Sequence, residues 1–184
     1  MSETKKISWD TLFLLGILVS FVGWIYETLL FYILYGGMHD RGFVTLPFCP
    51  IYGITIVIIY LIIGTPHAGG FLLSRFPGGG GRMVVYYLLA ALIPSVSEFA
   101  GGELMEMLTG EVLWSYEAYE YNIGKYACLE IAFIWGLAIL LFMCFFDKLL
   151  KLISRIPKSL SRRIAFSLSA LITFDFIGNL ILRI

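Results

Sequence analysis

The sequence predicts an all-α integral membrane protein: a five-helix transmembrane bundle with an inner interfacial amphipathic helix and an outer loop suited to re-entry. Three observations carry that prediction. Charged residues make up 14% of the 184-residue chain and hydrophobic residues 59%, where a soluble domain carries about 25% charged. Mean hydropathy is +0.88, so no polar shell is available for a water-soluble fold. Four apolar runs are each long enough to cross a hydrocarbon core, which takes about 20 helical residues. The length suits one domain covering residues 1–184.

The first span covers about 11–35 and is interrupted only by Glu27. The second, about 51–63, is bounded by Pro50 and Gly64. Its helical rise of about 20 Å falls short of a core of about 30 Å, so its apolar flanks have to extend it. The third covers about 83–102 and holds Pro94 and Glu98; the fourth, about 126–146, holds Glu130; the fifth, about 164–182, holds Asp175. The N-terminal apolar run is too long for a signal peptide and lacks a small-residue cleavage site, so the first helix is expected to be retained. Counting basic residues on alternate sides gives ten against three. By the positive-inside rule this orients a plasma-membrane protein with a cytoplasmic N-terminus and an outer C-terminus.

The loops carry their own signals. Residues 36–50 read GGMHDRGFVTLPFCP, apolar yet rich in Gly and Pro. Two readings stand: a segment dipping into the membrane against protein, or a tight outer loop packed over the bundle. The connection from Glu103 to Lys125 contains WSYEAYEYNIG. Trp114, Tyr116 and Asn122 there suit an aromatic belt by default, or more sharply a lid over a pocket. TPHAGGFLLSRFPGGGG reads as a flexible linker. No Lys-Ser/Thr follows its glycines, so it is not a nucleotide loop. Lys148, Lys151, Arg155, Lys158 and Arg162 recur at three- and four-residue steps opposite Leu149, Ile153, Ile156 and Leu160. That pattern predicts an interfacial helix over about 148–163, bent at Pro157, anchoring on anionic lipid or docking a cytosolic partner.

Acids inside spans are costly, so each is a ligand or ion candidate. Gly16, Ser20, Gly23 and Glu27 share one face of the first helix, which turns Glu27 toward the bundle. Glu27 lies 16 residues beyond Thr11 and Glu98 lies 15 beyond Met83, which puts both about 22–24 Å along their helices. A facing pair would share a proton, or Arg41 would compensate one of them. The bland alternative is a packing seam whose acids only satisfy neighbours. Asp175, with Asn179 on its face, is expected neutral or bonded to another helix. His39 joins the candidates from the outer loop. Cys49, Cys128 and Cys144 stand singly, which predicts neither a disulfide framework nor a zinc site. No metal or other cofactor is expected, and zero net charge argues against nucleic acid.

GWIYE at Gly23 to Glu27, RGF…PFCPIYG at Arg41 to Gly53 and a Glu-bearing third helix form a recurring set. To these the chain adds Trp114, Tyr116, Asn122 and Gly124, then Trp135-Gly136. Over about residues 9–146 the chain resembles the bacterial "putative ABC-transporter permease, type IV" (CmpB-like) membrane proteins. Their usual Trp-Asp-Tyr-Ser stands here as Trp114-Ser115-Tyr116-Glu117. The resemblance implies a transport permease and supplies no catalytic residues. Three functions are weighed. First comes a permease component or substrate-capturing subunit in the bilayer, served by a cytosolic ATPase subunit and open to homo-oligomer formation. Next is a non-catalytic scaffold or regulator, and last an enzyme acting on lipid headgroups.

Overall fold

The computed structural model describes residues 7–37, 43–68, 70–76 and 79–183. Among these residues five α-helices, α1 (Trp9–Tyr35), α2 (Pro50–Ile63), α3 (Gly80–Thr109), α4 (Leu129–Ile153) and α5 (Lys158–Arg183), make an all-α membrane bundle. All but α2 are long and apolar enough to cross a membrane. Among the described residues one small sheet pairs Asn122 with Cys128 and Ile123 with Ala127, antiparallel. His39 and Arg41 lie outside the described residues, as do Lys5 and Lys6.

Helix ends follow local chemistry. Ser8 caps α1 by accepting from the Thr11 amide, and Gly36 ends it at φ 72°, donating back to the Tyr32 carbonyl. Pro50 opens α2 in the first turn, where a missing N–H costs nothing. Within α3, the hydroxyls of Ser95 and Ser97, just after Pro94, donate to the Ala91 and Ile93 carbonyls just before it, supporting a stretch where proline removes a helical donor.

The helices pack α1 on α2, α2 on α3 and α3 on α4, with α5 along α1 and α3. Small residues set the closest approach. Gly53 sits on Gly16 and Ser20, its amide donating to Ser20 Oγ at 3.1 Å. A side chain at Gly23 would run into the Tyr52 ring, and one at Gly136 into Ala91 and Tyr87. The buried stripe Gly16, Ser20, Gly23 is thus the seam that receives α2.

The apolar core fills one half of the bundle, the half holding the N-terminal end of α1. It joins Leu12 and Leu15 to Ile56, Ile59 and Ile63, to Tyr86 and Ala90, and to Ile139, Met143, Phe146 and Leu150. Two expectations are corrected at this end. Residues 70–76 of the glycine-rich linker are not loose: Leu73 inserts fully into the core, and Leu72 donates to the Ile62 carbonyl at 3.2 Å. There is no separate helix over 148–163. Residues 148–153 are the last turns of α4, 154–157 form a turn, and α5 begins at Lys158. Proline disfavours helix in the residue before it, so the periodic pattern breaks there although its spacing continues.

The segment before α2 reaches deep into the bundle. The Cys49 amide donates to the Ser20 carbonyl at 3.1 Å, 15 residues below the far end of α1 at Tyr35, or about 22 Å at helical rise. The chain has reached that depth before α2 begins, and residues 43–49, the end of this descending segment, have no regular structure. Phe43, Val44 and Cys49 are buried while Thr45 and Pro47 are exposed, so the backbone between them relies on other partners for its hydrogen bonds.

Candidate functional site

Acids and aromatic donors gather in the half of the bundle opposite the apolar core. Glu27, on the α1 stripe one turn beyond Gly23, accepts from Tyr52 Oη at 2.8 Å and lies 3.8 Å from Cys49 Sγ. Both donors come from the junction where the descending segment becomes α2. Glu98, on α3 four residues past Pro94, accepts from Trp135 Nε1 of α4 at 3.1 Å and from Tyr116 Oη at 3.4 Å. The Tyr52 and Trp135 rings meet edge-on with centroids 5.5 Å apart, and Tyr26 lies edge-on to Trp135 at 6.1 Å. The two carboxylates are thereby connected through an aromatic bridge, each held by a different end of it.

The connection from 110 to 128 roofs this cluster. Tyr116 reaches down to Glu98, and its amide donates to the Lys125 carbonyl at 2.8 Å. Burial, and after it the Glu98 charge, pushes the Tyr116 phenol above its ordinary pKa, so it stays a donor. Lys125 Nζ binds both oxygens of Glu106 at 2.6 and 2.8 Å, fastening the roof to α3, and Tyr126 donates to the same carboxylate. That carboxylate holds the Lys125 ammonium above the usual lysine pKa. Tyr126 lies over Gly102, where a side chain would collide with its ring, and packs edge-on to Trp114. Asn122 closes the turn by donating to the Tyr119 and Glu117 carbonyls. Of the three residues singled out in this loop, Tyr116 thus touches a carboxylate, Trp114 packs beneath the roof and Asn122 shapes it.

Asp175 and Asn179 have a different setting. Asp175 Oδ2 accepts from the backbone amides of Thr45 at 2.9 Å and Leu46 at 3.3 Å. Asn179 Nδ2 donates to Thr45 Oγ1 at 3.0 Å and to the Asp175 carbonyl at 2.9 Å. The partner of Asp175 is backbone rather than another helix's side chain: two N–H groups that irregular structure leaves unpaired. Phe176 completes the clip, packing on Phe43 at 4.9 Å.

Lys151, Arg155, Lys158 and Arg162 are exposed around the α4–α5 turn. Arg162 Nε lies 4.0 Å from Asp10 on α1, which places this turn beside the N-terminal end of α1. Sequence reasoning missed Tyr52 and Trp135 as the donors that link the acids, and the Glu106–Lys125–Tyr126 fastening. Tyr52 follows Cys49 by three residues inside PFCPIYG, so the motif held the signal. Nothing in the local sequence pairs Glu106 with Lys125. Among the described residues no group of three or more His, Cys, Asp or Glu is placed to hold a metal ion.

A model of the protein family described as "Putative ABC-transporter type IV" matches residues 14–180, extending the earlier resemblance through α5. Neither a curated protein nor a solved structure matches the chain.

Proposed function

Because the chain belongs to the putative ABC-transporter type IV family, we propose that it is a membrane-embedded transport component that takes a cation, a proton included, at Glu27 and Glu98. The observation that carries this reading is the bridge itself: Tyr52 holds Glu27, Trp135 holds Glu98, and the two rings touch. Carboxylates at this depth are expensive and rarely lack a role. Every side-chain partner described above is a donor and so supports a charged carboxylate, while burial penalises that charge; binding a cation or a proton relieves the penalty. The apolar core seals the opposite half, so access comes from the side roofed by residues 110–128. With the N-terminus cytoplasmic, as the basic residues vote, that side is outside.

Lys151, Arg155, Lys158 and Arg162 then face the cytoplasm, as a surface for anionic lipid or for an ATPase subunit. The sequence holds no P-loop of its own, so ATP-driven work would come from that subunit. The uncovered face of α5, with Phe166, Phe174 and Ile181 exposed, favours a second reading, a scaffold that binds a second copy or another membrane protein. Cation or proton flux in reconstituted liposomes separates the two. Glu27→Gln and Glu98→Gln should each abolish flux while thermal unfolding in detergent stays cooperative. Unchanged flux in both variants contradicts the transport reading.

A further inference from the structure

A second polar feature lies at the other end of the bundle, apart from the carboxylate cluster. Pro66, His67, Gly79, Arg82 and Met83 line a cavity of about 310 Å³. The guanidinium Nε and Nη2 of Arg82 are shielded from solvent and have no acceptor among the described residues. Charged donors covered without an acceptor are strongly unfavourable, and this edge of an arginine is the fork that grips two oxygens of one anion.

The surroundings suit the same ligand. α3 begins at Gly80 directly after Gly79, so its first amides, which have no helical acceptor, present positive partial charge at the cavity wall. Gly79, Gly80 and Gly81 have open space where side chains would stand, leaving the backbone approachable. His67 supplies a further N–H. Among the described residues no carboxylate lines the cavity, and Asp147 accepts from Thr65 Oγ1 at 3.3 Å. A water occupies about 30 Å³ in the liquid, so the volume admits a tetrahedral oxyanion together with several waters.

We propose that Arg82, His67 and the glycine amides at the start of α3 bind a phosphate group, presented either by a lipid headgroup or by free phosphate. The test uses the full chain purified in a phosphate-free maltoside detergent, with thermal unfolding as the readout. Inorganic phosphate is added in one arm and short-chain phosphatidic acid in the other, because a ligand specific to the native state raises its apparent stability. Saturable stabilisation by inorganic phosphate identifies free phosphate as a ligand; stabilisation by phosphatidic acid alone identifies the headgroup. Arg82→Gln should weaken the effective ligand about 10- to 100-fold, the loss expected for a charged hydrogen-bonding pair. Arg82→Lys, which keeps the charge but not the fork, should fall between. If Arg82→Gln fails to fold, the exposed His67→Ala should still weaken binding. A wild-type protein moved by neither probe, or variants that respond as wild type does, would overturn the proposal.

Discussion

Replacing Asp175 with alanine removes the acceptor that holds the descending segment. Two backbone amides, Thr45 and Leu46, lose their partner at 2.9 and 3.3 Å. Hydrogen bonds to a charged acceptor contribute about 1.5–3 kcal/mol in soluble proteins, and bonds inside membranes have measured lower, up to about 1.7 kcal/mol. Two bonds of about 1–1.5 kcal/mol each give about 2–3 kcal/mol, or a rise of about 30- to 150-fold in the opening of the segment. Cys49 reports that opening, being buried at 4% exposure with its amide tied to Ser20. In a background with Cys128 and Cys144 replaced by serine, maleimide should label Cys49 faster in Asp175→Ala by that factor. Asp175→Asn keeps an acceptor oxygen and should fall well below it. Equal labelling of Asp175→Ala and the parent would refute the assignment of Asp175 as the clip.

Gly53→Ala should lower stability by about 1–3 kcal/mol in detergent unfolding, because the new methyl group meets the Gly16 carbonyl and Ser20 Oγ and must push α1 from α2. Gly101→Ala serves as its control: that methyl group finds only Ile51 Cδ1 at 3.7 Å and Trp114 Cη2 at 3.8 Å, ordinary contacts, so no comparable loss is expected. Tyr86→Phe should cost about 1–3 kcal/mol, since Tyr86 is fully buried and its hydroxyl donates to the Gly64 carbonyl at 2.9 Å, which would be left without that donor.

The architecture was legible where one physical requirement dominates. Crossing a bilayer demands length and apolarity, so α1, α3, α4 and α5 could be read directly, and Pro50 and Gly64 marked α2 as undersized. Helix ends were less visible, because apolarity and helicity stop at different places. α3 continues to Thr109 through Glu103 and Glu106, which end the apolar run without breaking a helix, and Gly110 stops it. The basic stretch around Pro157 misled in the opposite direction: its spacing stayed helical while the backbone turned.

At the site, the acids stood out by their cost, and the Gly16–Ser20–Gly23 stripe gave Glu27 its direction. Their donors did not stand out. Tyr52 and Trp135 lie 25 and 37 residues from the acids they serve, and aromatic residues are abundant enough in this chain to pass for belt or core. Asp175 was visible as an anomaly at mid-span. Its partner was not, since backbone amides become ligands only once the irregular segment has been placed against α5.

If Glu27 and Glu98 belong to one connected cluster their energies are coupled, and a double-mutant cycle on folding stability reads that coupling. Glu27→Gln, Glu98→Gln and the pair would be compared by reversible unfolding in mixed micelles. A connected cluster predicts an interaction energy above about 0.5 kcal/mol, as found for residues sharing a hydrogen-bond network. Additivity within about 0.3 kcal/mol would show two independent acids and contradict the account.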